Sequence, residues 1–249
     1  MNEQNPVVQS LRLLWEGLPE PKKGPKPTLT LEQIVQAGVE LADQEGLDAV
    51  SMRKLAQKLG VGAMSLYRYV PSKTELLNLM LDAVSGPDPT RESAFARGWR
   101  AGLEAVGRGG RAQYLTHPWL LQVNWTQPVL GPNSMADMEL IFDGLREMPL
   151  SDQQKMQVIV ALDSYVTGAV RQEILSNRAA CESGMTDDQF WESQAPMLEA
   201  IFASGRFPVM AALSEDTFAG TWEEHFELGL DLLLDGVEKQ VARREASGS

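Results

Sequence analysis

The sequence predicts an all-α protein with a small N-terminal helix-turn-helix bundle and a larger helical C-terminal domain. Apolar residues recur every three or four positions through most of the chain, which is the spacing of one face of an α-helix. Capping residues and Gly/Pro breaks separate these segments, and no stretch of useful length alternates as a half-buried strand does. We therefore divide the chain into an arm (residues 1–29), a helix-turn-helix domain (30–86) and a C-terminal domain (87–249).

The arm combines a short amphipathic segment with a basic, proline-rich stretch. Apolar residues between Val7 and Trp15 are spaced to form one face of a short helix. Four prolines and a glycine between Pro19 and Pro27 exclude a regular helix there, and three lysines make this stretch basic.

The first two helices of the helix-turn-helix domain are delimited by capping signals. Thr30 and Gln33 have the spacing of a capping box, and an apolar stripe follows them as far as Gly46, which ends the helix. Ser51 caps a second helix, and Gly60 ends it.

The third and fourth helices follow closely. The third spans roughly residues 62–69 and stops before Pro71. Residues 72–75 (Ser-Lys-Thr-Glu) have the spacing of another capping box, which begins the fourth helix. Two prolines and a glycine at residues 86–89 then mark the domain boundary.

The C-terminal domain contains two long apolar helices. One begins with a capping box at residues 151–154 and continues to about residue 176. The last helix is predicted from about Glu215 to Arg243, with apolar residues every three or four positions.

The charge of the chain is unevenly distributed. The net charge is −12, which for the whole protein argues against a nucleic-acid partner. Between Ser51 and Lys73, however, there are five basic residues and no acidic one. This stretch is either a solvated helix face or a local surface for phosphates.

Two short helices joined by a glycine-containing turn are typical of a DNA-binding helix-turn-helix. Gly60 and Gly62 allow the tight turn, and the second helix then begins with small residues that can enter a major groove. Free N–H groups at the helix that follows Ser51 can hold a phosphate, while Arg68 and Tyr69 can reach phosphates or base edges.

The run from Leu55 to Leu77, LAQKLGVGAMSLYRYVPSKTELL, resembles the signature of the TetR family, and the resemblance extends over about residues 30–84. Shorter segments of the C-terminal domain are similar to the tetracycline-repressor-like members of that family, at residues 117–120, 130–133, 164–168 and 230–236. The resemblance implies a ligand-responsive regulator, most often a repressor, that acts as a homodimer on a palindromic operator.

The resemblance also implies roles for individual residues. It assigns base reading to Arg53, the recognition positions to Ala63, Met64 and Ser65, and phosphate contacts to Tyr67 and Lys73. Arg68 and Tyr69 occupy the place of an aromatic pair, so phosphate contacts there would differ in detail. Leu66 is expected in the core. In the arm, Lys26 is a candidate for a minor-groove contact, and the alternative is that the arm has no fixed structure.

The half-sites of a palindrome lie about 34 Å apart, so two recognition helices need a two-fold body. The helices at about 152–176 and 216–242 are the natural pair for a four-helix dimer interface. An effector cavity in this domain needs aromatic lining and a few polar anchors. The candidates, each of which could instead be ordinary core, are Trp119, Trp125, Asn133, Phe142, Tyr165, Gln172 and Trp191.

Several function classes are disfavoured. Val129 stands where the resemblance would place a metal-ligating histidine, so we expect no magnesium-tetracycline binding, no metal and no cofactor. No nucleophile–base set or phosphate loop indicates an enzyme, and Cys181 has no partner motif. No signal peptide or run of about 20 apolar residues is present, so we expect a cytoplasmic protein. The main alternative is an effector-independent architectural DNA-binding protein, which would have a tightly filled C-terminal core.

Overall fold

The computed structural model describes residues 5–18, 29–125, 128–214 and 216–248. Within these ranges the chain forms twelve α-helices and two short 3₁₀ helices, and no residue lies in a strand. The predicted all-α class is confirmed. None of the helices in the described ranges is both long enough and apolar enough to cross a membrane.

Five helices precede residue 86. They are α1 (Pro6–Glu16), α2 (Leu31–Glu45), α3 (Met52–Lys58), α4 (Ala63–Leu66) and α5 (Lys73–Val84). Seven helices follow: α6 (Pro89–Phe95), α7 (Trp99–Thr116), α8 (Pro132–Gly144), α9 (Asp152–Ser183), α10 (Asp187–Ala203), α11 (Pro208–Ala211) and α12 (Trp222–Gly248). The 3₁₀ helices are Leu47–Ala49, between α2 and α3, and Pro118–Gln122, after α7.

Two of the three predicted capping boxes are confirmed. At α2 the Thr30 hydroxyl accepts from the Gln33 N–H at 3.2 Å, and the Gln33 side chain accepts from the Thr30 N–H at 2.9 Å. Ser151 begins α9 in the same way. At α5 the expected box is wrong, because Ser72 accepts from the Thr74 N–H and donates its hydroxyl proton to the Glu75 carboxylate. That carboxylate is buried and needs a donor.

Three predicted helix bounds are also corrected. The recognition helix α4 ends at Leu66, and residues 67–69 form a turn. The long helix α9 continues past residue 176 to Ser183, because a left-handed cap at Gly184 (φ 68°) ends it only there. The last helix begins at Trp222 rather than near residue 215, because Thr221 and Glu224 exchange the hydrogen bonds that satisfy its first N–H groups.

The core of the N-terminal bundle lies between α2, α3, α4 and α5. Large apolar side chains from all four helices are fully buried there, including Ile34, Leu55, Leu66 and Leu76. A Cβ atom at Gly38 would lie only 2.9 Å from the sulfur of Met80, so glycine lets α2 approach α5 closely.

The C-terminal domain is organised around α7. This helix packs against α6, α9 and α12, and fully buried leucines from α7, α9 and α12 meet in the core. Helix α8 packs on α5, α6 and α7. The Phe95 ring lies between α7 and α8, where a Cβ atom at Gly102 or Gly144 would come within 2.2 Å of it. Helix α8 therefore lies across the junction between the two predicted domains.

Candidate DNA interface and effector site

The tip of the helix-turn-helix, residues 63–65 at the start of α4, includes an exposed residue and is anchored by a buried one. The Ser51 hydroxyl accepts from the Lys54 N–H at 3.2 Å, which caps α3 as predicted. The turn passes through Gly60 (φ 67°), and α4 then begins at Ala63. Leu66 is fully buried, as expected, whereas Met64 is 79% exposed. Ala63 and Ser65 are half-buried, and Ala63 packs against the core, so Met64 is the residue of α4 that projects into solvent while Leu66 anchors the helix.

The residues after the tip have different environments. Tyr67 is exposed, whereas Tyr69 is half-buried and packs against the core. Arg68 donates to the Ser65 hydroxyl at 3.3 Å, which directs its guanidinium back towards the tip. Lys73 donates to the Leu47 carbonyl at 3.2 Å and so joins the start of α5 to the 3₁₀ helix.

Two of the five basic residues of this stretch are neutralised by α2. Lys54 pairs with Glu45 at 2.6 Å, and Lys58 pairs with Glu40 at 3.0 Å. The hydrogen bond from Lys58 lowers the pKa of the Glu40 carboxyl. The positive potential at the tip thus comes mainly from Arg53, Arg68 and Lys73, for which the described part of the chain shows no ion pair. The linear sequence overstated the local basic charge, because the acidic partners precede this stretch in the chain.

The effector candidate Trp119 lies at the junction between the two domains. Its indole N–H donates to the Asp43 carboxylate of α2 at 2.8 Å, and the side chain is only 1% exposed. His117 Nδ1 hydrogen-bonds to the same carboxylate oxygen at 2.8 Å. One oxygen of α2 therefore holds two side chains of the segment that follows α7.

Asn133 also belongs to this junction. Its side chain donates to the Asp82 carbonyl at 3.1 Å, and the Asp82 carboxylate accepts from the Asn133 and Ser134 N–H groups and from the Ser134 hydroxyl. Asp82 is buried at the end of α5 and thereby caps α8. A Cβ atom at Gly131 would lie within 2.6 Å of this carboxylate, so glycine is needed there.

Two effector candidates share a crevice of about 360 Å³ between α9 and α12. Tyr165 stacks on Phe226, with ring centroids 5.6 Å apart, and its hydroxyl donates to the Phe226 carbonyl at 2.6 Å. Gln172 lies about two turns further along α9, and Glu173, Trp222 and His225 also line the crevice, together with small residues of α9. The crevice thus combines aromatic rings with an amide, a carboxylate and an imidazole.

The remaining candidates lie elsewhere. Trp125 donates to the Leu120 carbonyl at 3.3 Å, and Phe142 is half-buried on α8. Trp191 is exposed on α10, where its ring edge meets Phe190 at a centroid distance of 5.5 Å. Of the seven candidates, Tyr165 and Gln172 line the crevice between α9 and α12.

A polar cluster between α7 and α9 was not anticipated. Tyr114 donates to Asp163 and accepts from Thr167, both at 3.3 Å. Desolvation raises the pKa of the Asp163 carboxyl and of the Tyr114 hydroxyl. Nearby, Arg111 pairs with Glu173 of the crevice at 2.9 Å. No local sequence signal indicates these pairs, because the partners are 49 to 62 residues apart.

Two family models match the chain. Residues 34–80 match "Bacterial regulatory proteins, tetR family", and residues 94–241 match "Tetracyclin repressor-like, C-terminal domain". The first match contains the helix-turn-helix, and the second contains the crevice and the helices around it.

Individual proteins are similar over nearly their whole length. The HTH-type transcriptional repressor DrrR1 of Streptomyces coeruleorubidus is 49% identical over 243 residues, which are 98% of this chain and 90% of that protein. Apo ActR from Streptomyces coelicolor is 28% identical with a TM-score of 0.68, over 88% of this chain and 99% of that one. ActR in complex with actinorhodin is 29% identical with a TM-score of 0.65, over 86% and 99% of the two chains.

Proposed function

The chain belongs to the TetR family of bacterial regulatory proteins, and from that premise we propose that it is a transcriptional repressor that a small molecule releases from DNA. It binds a palindromic operator as a homodimer through residues 30–86, and residues 87–249 bind the effector and the second copy. DrrR1 bears the name of a repressor, and its similarity extends over almost the whole chain.

The observation that carries the DNA-binding role is the exposed tip of α4 beside three cations in an otherwise acidic protein. Ala63, Met64 and Ser65 enter the major groove in this proposal, and their small, partly apolar surface suits contacts with thymine methyl groups. Arg53 and Arg68 supply hydrogen bonds to base edges. The phosphate contacts come from the N-terminal turn of α3 at Ser51 and from Tyr67, Tyr69 and Lys73. Lys26 remains a further candidate and lies outside the described residues.

Exposed leucines support a dimer built on α9 and α12. Leu175 on α9 and Leu228 and Leu232 on α12 are each more than half exposed. Pairing these two helices with those of a second copy buries the leucines and holds two recognition helices on one face.

In this proposal a small-molecule effector binds the solvent-accessible crevice between α9 and α12, for which the architectural alternative has no role. Its aromatic lining favours an aromatic ligand, with Gln172 and Glu173 as polar anchors. ActR has been crystallised with actinorhodin, which makes actinorhodin a suitable first probe. The other candidates, Trp119, Trp125, Asn133, Phe142 and Trp191, remain proposals for residues that contact the effector or respond to it.

The test is selection of bound DNA from a random pool, followed by anisotropy titrations of the selected duplex with actinorhodin. We expect the selected sites to be palindromic and the affinity to fall steeply with salt, because phosphate contacts release counterions. Actinorhodin should then lower the operator affinity. Failure of the purified protein to enrich any sequence would refute the DNA-binding role, and unchanged affinity with a panel of aromatic compounds would favour the architectural alternative.

Replacement of Arg53 with alanine is expected to weaken binding to the selected operator by about 1–3 kcal/mol and to relax preference at one base pair. The matched control is Lys54→Ala, which removes the same charge from the next residue of α3. Because Lys54 is already paired with Glu45, we expect a smaller and sequence-independent loss. Anisotropy titrations with single-base operator variants distinguish these outcomes. Equal weakening of all duplexes by Arg53→Ala would place Arg53 on a phosphate instead.

A further inference from the structure

Helix α1 lies outside both matched family regions, which begin at residues 34 and 94. It is nevertheless a well-formed element of the fold. The Asn5 side chain accepts from the Val7 N–H at 2.9 Å, and Pro6 occupies the first helical position. The helix is amphipathic: the side chains of Val7 and Trp15 are exposed, whereas Ser10 is fully buried.

The first contact of α1 is with α5. Helix α1 packs along α5, and its leucines Leu13 and Leu14 contact the hydrophobic core. Ser10 is fully buried and its hydroxyl accepts from the Asn78 side chain at 2.8 Å. A buried hydroxyl must keep its partner, so this hydrogen bond sets the position of α1 along α5.

The second contact of α1 is with the C-terminal domain. The Trp15 indole N–H donates to the Leu130 carbonyl at 3.1 Å, across 115 residues of sequence. Leu130 directly precedes Gly131, the residue that lies against Asp82 at the cap of α8. Helix α1 therefore contacts both sides of the α5–α8 junction. Because Trp15 is 55% exposed, its hydrogen bond is at the surface and is small beside the packing of the core.

We propose that α1 is a brace across the α5–α8 junction that favours the DNA-binding arrangement of the two domains. The regulatory part of this inference rests on the proposed function. In this proposal effector release moves α5 relative to α8, and a contact made in only one of two states shifts the equilibrium towards that state. The brace thus raises the effector concentration needed for release without touching the effector.

The test uses Trp15→Phe in the full-length protein, which keeps an aromatic ring and removes the N–H donor. Its first readout is hydrogen exchange at the amides of Asn133 and Ser134, which Asp82 caps. We expect exchange to become about three- to tenfold faster, in line with the loss of one intramolecular hydrogen bond. Val7→Ala, at an exposed position of the same helix that takes no part in the hydrogen bond with Leu130, is the matched control and should leave exchange unchanged.

The second readout is the actinorhodin concentration that releases half of the operator, which should fall about three- to tenfold in Trp15→Phe. Ser10→Ala removes the contact with α5, and its effect should not add to that of Trp15→Phe, because a brace needs both ends. Unchanged exchange in Trp15→Phe would overturn the brace, whatever happens on DNA. Faster exchange with an unchanged release midpoint would overturn its regulatory part. Absence of release in the wild type would count against the proposed effector response, and the exchange result would still decide whether α1 braces the junction.

Discussion

Replacement of both Leu228 and Leu232 with glutamate is expected to make the protein monomeric and to lower its operator affinity about 100- to 10,000-fold. The two leucines lie one turn apart on α12 and are 61% and 64% exposed in the single chain. In a two-fold dimer each substitution occurs twice, so four carboxylates would face an apolar surface without partners. A monomer binds one half-site at a time and loses the gain from simultaneous binding.

Sedimentation equilibrium gives the oligomeric state, and anisotropy on full and half operators gives the two affinities. Val7→Glu is the matched control, since it places the same charge at an exposed apolar position of α1. We expect Val7→Glu to remain dimeric and to bind the full operator normally. A Leu228→Glu, Leu232→Glu protein that is still a dimer would show that α12 is not the interface, and an unaltered affinity of a true monomer would contradict the two-half-site proposal.

Replacement of Asp43 with alanine is expected to lower the free energy of unfolding by about 1–3 kcal/mol, because the buried Trp119 indole N–H loses its acceptor. His117 loses the same acceptor. For a chain of this size a loss of 1 kcal/mol corresponds to a decrease in Tm of about 2–4 °C. We also expect weaker operator binding, since the two hydrogen bonds join the DNA-binding bundle to the C-terminal domain.

Denaturant unfolding followed by tryptophan fluorescence measures this loss. Asp48→Ala is the matched control, because it removes the same charge from an exposed position five residues away. Its effect should stay within about 0.5 kcal/mol, as is usual for surface substitutions. The interpretation of this junction is wrong if Asp43→Ala and Asp48→Ala unfold at the same denaturant concentration. His117→Ala should have an intermediate effect, because Trp119 keeps its acceptor.

Local signals in the sequence were sufficient for the turn before α4 and for the starts of α2 and α9. The Thr30 and Ser151 capping boxes and the glycines around α4 each act within a few residues, so their consequences are visible without a fold. A local signal gave the wrong hydrogen-bond pattern where one of its residues is buried. Ser72 has the spacing of a capping box, but the buried Glu75 carboxylate takes its hydroxyl proton. The Thr221 and Glu224 pair that begins α12 is a local signal of the same kind, and it places the helix start after the position that apolar periodicity alone predicts.

The candidate effector residues show the opposite case. Aromatic residues in a helical domain are candidates for a cavity on composition alone, and their surroundings depend on which helices meet. Tyr165 and Gln172 line the crevice because α12 crosses α9 at that point. Trp119 is instead held by Asp43, a residue 76 positions earlier, and Asn133 by Asp82, 51 positions earlier.

The sequence by itself therefore determined the all-α class, the position of the recognition tip and the family, since helix periodicity, capping and turn glycines are properties of neighbouring residues. Only the tertiary structure decided which of the basic side chains near α4 form ion pairs with acidic ones, and how the helix-turn-helix domain is joined to the C-terminal domain. Glu40 and Glu45 neutralise two of the five cations near the tip, and α1 reaches from α5 to the start of α8. The physical reason is that hydrogen bonds and ion pairs act over about 3 Å in space, whatever the separation of their partners along the chain.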